Sequence, residues 1–130
     1  MISNKTTGQE ISVVIIQGPT AVGKSDVALQ LARHYQTELI SSDSRQVYKF
    51  LDIGTAKPSQ EEQEEVKYHL IDIITPDEEY SAGDFAHDAH DIIVKQSKKG
   101  ILPIVVGGTG FYIKSLLEGI FQSPDISCEI

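Results

Sequence analysis

Apolar positions along this chain recur in two rhythms. Short aliphatic and β-branched runs read as strands: "ISVVIIQ" at 11–17, "ELIS" at 38–41, "YHLIDII" at 68–74 and "ILPIVVGG" at 101–108. The first is apolar on both faces, as a strand buried in a parallel sheet must be. Pro103 falls near the start of the last, where a missing N–H is tolerated. Between these runs, apolar residues return at helical spacing. Val27, Ala28, Leu31 and Ala32 predict a helix ending near His34 and Tyr35. Phe85, Ala89, Ile92 and Ile93 predict a second over 82–98, with Ser81 as its cap and Gly100 as its stop, and Tyr112, Ile113, Leu116 and Leu117 predict a third. Strands alternating with helices imply a parallel α/β sheet with right-handed crossovers.

Residues 46–67 break this rhythm. "DIGTAKP" is a loop by its glycine and proline, and the acidic "SQEEQEEVK" predicts a short solvated helix capped by Ser59. The opening "MISNKTTGQE" is polar and lacks the apolar core of a secretory signal, so residues 1–10 are expected to be a disordered leader. The core is then expected over 11–119. After Gly119, "IFQSPDISCEI" offers no further strand and helix, so 120–130 is expected to be a tail on a sheet truncated before its last strands.

Composition narrows the class. A chain of 130 residues, 40% hydrophobic and 23% charged, is the size of one domain with a real core. No apolar run approaches the roughly 20 residues that span a bilayer, so the expectation is no membrane association and a cytoplasmic address. No obligate protein partner is evident. Cys128 is the lone cysteine, which excludes an internal disulfide and a thiolate metal cluster. Nineteen acidic residues against eleven basic ones, a net charge of −8, exclude bulk attraction to nucleic acid but not binding by a local patch.

Chemistry enters with "GPTAVGKS" at 18–25. Gly18, Gly23, Lys24 and Ser25 satisfy G-x-x-x-x-G-K-[ST], preceded by a strand and followed by a helix as the motif requires. The backbone N–H groups of Gly18, Pro19, Thr20, Ala21, Val22 and Gly23, proline excepted, would curl around an anion at a helix N-terminus. Lys24 adds a point charge, and the Ser25 hydroxyl can ligate Mg²⁺. The bland alternative is a glycine-rich turn with no ligand. Whose phosphates are held stays open at this point. Metal-holding carboxylates usually stand at the end of an apolar strand, yet Asp72 lies inside its run and "LPIVV" ends in glycines.

Three further stretches point to the same sheet edge. "SSDSRQVY" follows the second strand and brings Asp43 near the phosphate loop. "DIGTAKPS" is a loop carrying Lys57, and "VVGGTGFY" repeats the strand-glycine-helix arrangement with Thr109 at a helix start. Taken singly, Asp43 reads equally as a turn former, Thr109 as an N-cap and Lys57 as a surface charge.

Together, "GPTAVGKS", "SSDSRQVYKFLDIGTAKP", "HLIDI", "YSAGDFAHDA" and "PIVVGGTGFYIKSLLEG" resemble the N-terminal part of the tRNA dimethylallyltransferases, in order and at matching spacing. The resemblance implies a P-loop NTPase-like fold and transfer of a dimethylallyl group from dimethylallyl diphosphate to N6 of adenosine 37 in a tRNA anticodon loop. On it, residues 18–25 hold the prenyl diphosphate with Mg²⁺, and Asp43 is the general base. Thr109 touches the reacting centre, and Asp43, Ser44, Arg45 and Gln46 contact the tRNA together with Thr109. Family members are about twice this length or more, so the chain by itself is expected to be deficient in turnover. Alternatives are an adenylate isopentenyltransferase, a small-molecule kinase using the same loop on ATP, and a non-catalytic phosphate-binding module.

Overall fold

The protein, seen in a computed structural model, is described over residues 2–6, 9–17, 24–50, 57–108, 110–122 and 126–128. Its elements run β1 (Ile2–Thr6), β2 (Gln9–Gln17), α1 (Lys24–Tyr35), β3 (Leu39–Ser41), α2 (Gln60–Glu65), β4 (Tyr68–His69), α3 (Ala82–Lys98), β5 (Ile104–Gly107), α4 (Gly110–Gln122) and β6 (Ile126–Cys128). They form one sheet in the order β4-β3-β5-β2-β1-β6. The four strands from β4 to β2 are parallel, and β1 and β6 extend the sheet antiparallel.

Alternation along the central strands sends side chains into two cores. Ile40 and Val105 join Phe85, Ala89, Ile93, Tyr112 and Leu116 under α3 and α4. Their neighbours Leu39, Ile104 and Val106 join Ala28, Leu29 and Ala32 under α1. Both faces are therefore covered, which is why these strands read as unbroken apolar runs. The buried face of α1 is Ala28, Leu29 and Ala32; Val27, expected inside, is half exposed at 49% because the stripe is rotated by about one position.

Both helix caps read from sequence are present. Ser81 accepts from the Asp84 N–H while the Asp84 side chain accepts from the Ser81 N–H, and Ser59 and Glu62 repeat the arrangement on α2. Ser81→Ala should cost about 1 kcal/mol, read as a lowered unfolding midpoint in urea. At the far end of α3, Gly100 takes φ 74°, the left-handed turn that ends the helix. Nearby, Glu38 accepts from His69 at 2.8 Å and from Gln96 at 3.1 Å, tying α3 to the start of β3. His69 holds the Glu38 carboxyl below its usual range, so this tie stabilises above that range and is lost as pH falls through the lowered value.

Three expectations are corrected. Residues 2–6 and 9–10 are not a disordered leader but strands, paired from Ile2 with Val13 to Thr6 with Gln9. A polar segment can still be a strand here because the open edge of β2 offers unpaired backbone groups that β1 satisfies. The run 68–74 is a strand only over Tyr68–His69, since Leu70 at φ 66° and Asp72 at φ 55° leave extended geometry. Its continuation bonds instead to the segment after β3, through Asp72 N to Gln46 O and Ile73 N to Val47 O. Residues 120–130 are not all tail: α4 continues to Gln122, and β6 pairs with β1.

Candidate active site

Parallel pairing sets the carboxyl ends of three strands side by side. Gln17 of β2 is in register with Gly107 of β5, and Ser41 of β3 with Val106. Whatever follows each strand shares that edge, the place where open α/β folds bind ligands. Residues 18–23 lead there from β2 to α1, which Lys24 and Ser25 open; residues 42–46 follow β3; Gly108 and residue 109 lead from β5 to α4. Two helices of 12 and 13 residues thus begin at one edge, presenting positive dipole ends to it. Gly18, Pro19, Thr20, Ala21, Val22, Gly23 and Thr109 lie outside the described residues, as do residues 51–56 of the "DIGTAKPS" loop.

Asp43 lies two residues beyond the end of β3, at the carboxyl edge of the sheet. Its Oδ1 accepts from the Arg45 N–H at 2.8 Å and the Gln46 N–H at 3.4 Å, closing a turn directly after β3. The turn-former reading is thus borne out by the hydrogen bonds. Among the described residues Oδ2 takes no hydrogen bond, which leaves one carboxylate oxygen for a ligand. Gln46 also faces inward, its Oε1 accepting from the buried Ser41 hydroxyl at 2.9 Å, while Arg45 is exposed.

Ser42 and Gly107 determine where this turn sits. Ser42 is fully buried, and its N–H donates to Val106 O at 2.9 Å. A Cβ on Gly107 would lie 2.2 Å from Ser42 Oγ and 2.6 Å from Ser42 O, so only glycine lets the chain after β3 cross the end of β5. Gly107 is not singled out by any motif in the sequence. Its place at the end of an apolar strand was the available signal.

On the α3 and α4 side the edge is braced by aromatic residues. The Tyr112 hydroxyl donates to Tyr80 O at 3.0 Å, the Tyr80 hydroxyl donates to Asp88 at 2.6 Å, and Phe85 stacks on Tyr112 at 4.8 Å. Burial, then the neighbouring Tyr48 and Asp43, pushes the Tyr112 phenol up to about 12, so it stays a neutral donor. Tyr80 is pushed up too, by burial and by Asp88. This brace anchors the first turn of α4.

Lys57 is not a surface charge. Its side chain is 7% exposed and donates to Tyr48 O at 2.7 Å and to Asp72 at 2.5 Å. It clamps the segment after β3 to the segment after β4, and Asp72 serves as its partner. Lys57→Met should lower stability by about 2 kcal/mol, because the Tyr48 carbonyl and Asp72 lose a charged donor. Arg33, in the last turn of α1, forms a two-armed pair with Glu65, the second arm at 3.0 Å. It is therefore at the opposite end of α1 from the phosphate loop.

A cleft of about 300 Å³ opens beside the same edge, between Gln17 and α4. Ile113 and Leu117 give it an apolar floor, with Lys114 and Glu118 on its rim. Among the described residues, no three His, Cys, Asp or Glu side chains converge as a metal cluster, and no helix is long and apolar enough to cross a membrane.

Residues 46–129 match the family model described as IPP transferase. The chain is 54% identical over 108 residues to a tRNA dimethylallyltransferase of Thermosipho melanesiensis, covering 83% of this chain and 36% of the relative. It is 56% identical over 120 residues to one of Streptococcus pyogenes serotype M49, covering 92% and 40%. A full-length tRNA isopentenylpyrophosphate transferase of Bacillus halodurans superposes with a TM-score of 0.79 at 45% identity, over 88% of this chain and 37% of that one. A eukaryotic dimethylallyltransferase acting on tRNA superposes with a TM-score of 0.76 at 39% identity, over 81% and 26%. The chain thus spans well under half the length of these relatives.

Proposed function

The chain belongs to the IPP transferase family, and on that premise we propose that it carries the diphosphate site and the general base for moving a dimethylallyl group from dimethylallyl diphosphate to N6 of adenosine 37 in tRNA. The observation that carries this reading is the Asp43 carboxylate, held by two backbone N–H groups at the edge where two helices begin.

The roles follow from charge. The exocyclic amine of adenine is a weak nucleophile that becomes cationic as it attacks the allylic carbon, so a carboxylate within reach lowers that barrier by taking the proton. Diphosphate leaves when its developing charge is spread, which Lys24 and the N–H groups of 18–23 would do. Thr109, between β5 and α4, would hydrogen-bond the departing oxygen. Ser44, Arg45 and Gln46 would meet the tRNA beside Asp43, and the adenosine must leave its stack to reach them.

Magnesium fits this donor set. Mg²⁺ on a phosphate ligand is held mainly by the ligand's own oxygens and by water, so one protein hydroxyl, that of Ser25, is chemically sufficient. Bound there, it would neutralise charge on the diphosphate. The same proposal puts the protein in the cytoplasm, with its tRNA substrate. A kinase reading loses its support from Arg33, which is engaged with Glu65 away from the site.

The test is a chimera in which this sequence replaces the matching residues of the Streptococcus pyogenes relative. With dimethylallyl diphosphate it should add one dimethylallyl mass to unmodified tRNA, whereas the 130 residues alone should turn over far more slowly. A chimera that consumes ATP and leaves the RNA mass unchanged would sink the reading, as would rapid turnover by the isolated chain for the claim of deficiency.

A further inference from the structure

The chain carries net charge −8, yet residues 44–51, "SRQVYKFL", contain two cations and no carboxylate. Arg45 and Lys49 are exposed and form no ion pair among the described residues. Phe50 is 79% exposed, one of the most exposed large apolar side chains described. Its backbone is in the left-handed region at φ 70°, a conformation that disfavours a bulky residue and suits glycine. Packing does not account for a strained, exposed phenylalanine. Solvent exposure and backbone strain both argue for a smaller residue there.

The surroundings fix where this residue is presented. Lys49 N–H donates to Ile74 O at 2.8 Å and Tyr48 N–H to Arg45 O at 3.3 Å, so residues 45–50 are held against the segment after β4. Lys57 fastens the same two segments from beneath. Val47 is fully buried, and Tyr48 packs against the core cluster that contains Tyr112. The segment is thus rigidly backed, begins two residues after Asp43, and turns its cations and its aromatic ring outward. Ile73, 39% exposed, sits on the facing segment, its N–H bonded to Val47 O.

We propose that Lys49 and Phe50 form a second RNA contact beyond residues 43–46, in which Phe50 stacks on an unpaired base next to the target adenosine and Lys49 meets an adjacent phosphate. Two cations and an exposed aromatic on a rigid strip are what a single-stranded segment needs, because every base has a stacking face and every linkage a charge. The net charge of −8 weakens non-specific attraction to RNA, so a contact must come from a local feature such as this strip. The proposal rests on the reading of the substrate as a tRNA loop.

The test uses the 130-residue chain and a short stem-loop RNA with unpaired adenosines, one neighbour of the target replaced by 2-aminopurine. Wild type should quench the 2-aminopurine on binding. Phe50→Ala should lose that quench and bind about tenfold more weakly. Lys49→Gln should keep the quench and lower the salt slope of binding by about 0.7. Phe50→Gly should bind as weakly as the alanine variant while raising the unfolding midpoint by about 4 °C, a gain that separates a recognition role from a structural one. If wild type and both Phe50 variants bind and quench alike, the proposal is overturned while the tRNA reading stands. If wild type binds dimethylallyl diphosphate but ignores the stem-loop, the proposal is overturned, and the tRNA reading is decided separately by the chimera.

Discussion

Asp43→Asn should reduce dimethylallyl transfer by the chimeric enzyme about a thousandfold while leaving dimethylallyl diphosphate binding intact. Asparagine is the informative replacement. Its side-chain oxygen can still accept from the Arg45 and Gln46 N–H groups, so the turn after β3 survives while the proton acceptor is lost. Alanine removes both, and its additional effect measures what the turn contributes to placing residues 44–46. Rapid-quench measurement of a single turnover isolates the chemical step from product release. An unchanged single-turnover rate for Asp43→Asn would remove Asp43 from its role as base.

Gly107→Ala is expected to be the most damaging single-methyl change at the sheet edge. The added carbon would fall 2.2 Å from Ser42 Oγ and 2.8 Å from Ser42 C. Relief requires moving backbone, because Ser42 N–H is bonded to Val106 O and the residue is fully buried. A cost of about 3 kcal/mol follows, or a midpoint lowered by about 10 °C. Because Asp43 is the next residue, whatever protein still folds should transfer more slowly. Gly119→Ala is the control: nothing lies within 4 Å of that added carbon, and alanine favours a helix, so the midpoint should hold or rise. Equal behaviour of the two variants would refute the close-approach account.

Much of the fold was legible because it rests on local rules. The capping boxes at Ser59 and Ser81, the stop at Gly100 and the burial of Tyr112, Ile113 and Leu116 all follow from residues within a turn or two of each other. What was not legible depends on partners distant in sequence. Residues 2–6 become a strand because β2 has an open edge, and residues 70–74 leave the sheet because residues 46–49 compete for their backbone. The burial of Lys57 was not legible because neither Tyr48 nor Asp72 is near it along the chain. Of the candidate site, the position of Asp43 directly after a strand was legible. The close crossing of Ser42 over Gly107, which positions Asp43, needed coordinates.

On the proposed function, residues 18–25 cradle a leaving diphosphate rather than a nucleotide. Calorimetric titration of the 130-residue chain with dimethylallyl diphosphate and, separately, with ATP, each with Mg²⁺, tests it most directly. Saturable binding of dimethylallyl diphosphate, abolished by Lys24→Ala and stronger than that of ATP, is the predicted result; selective binding of ATP would contradict it.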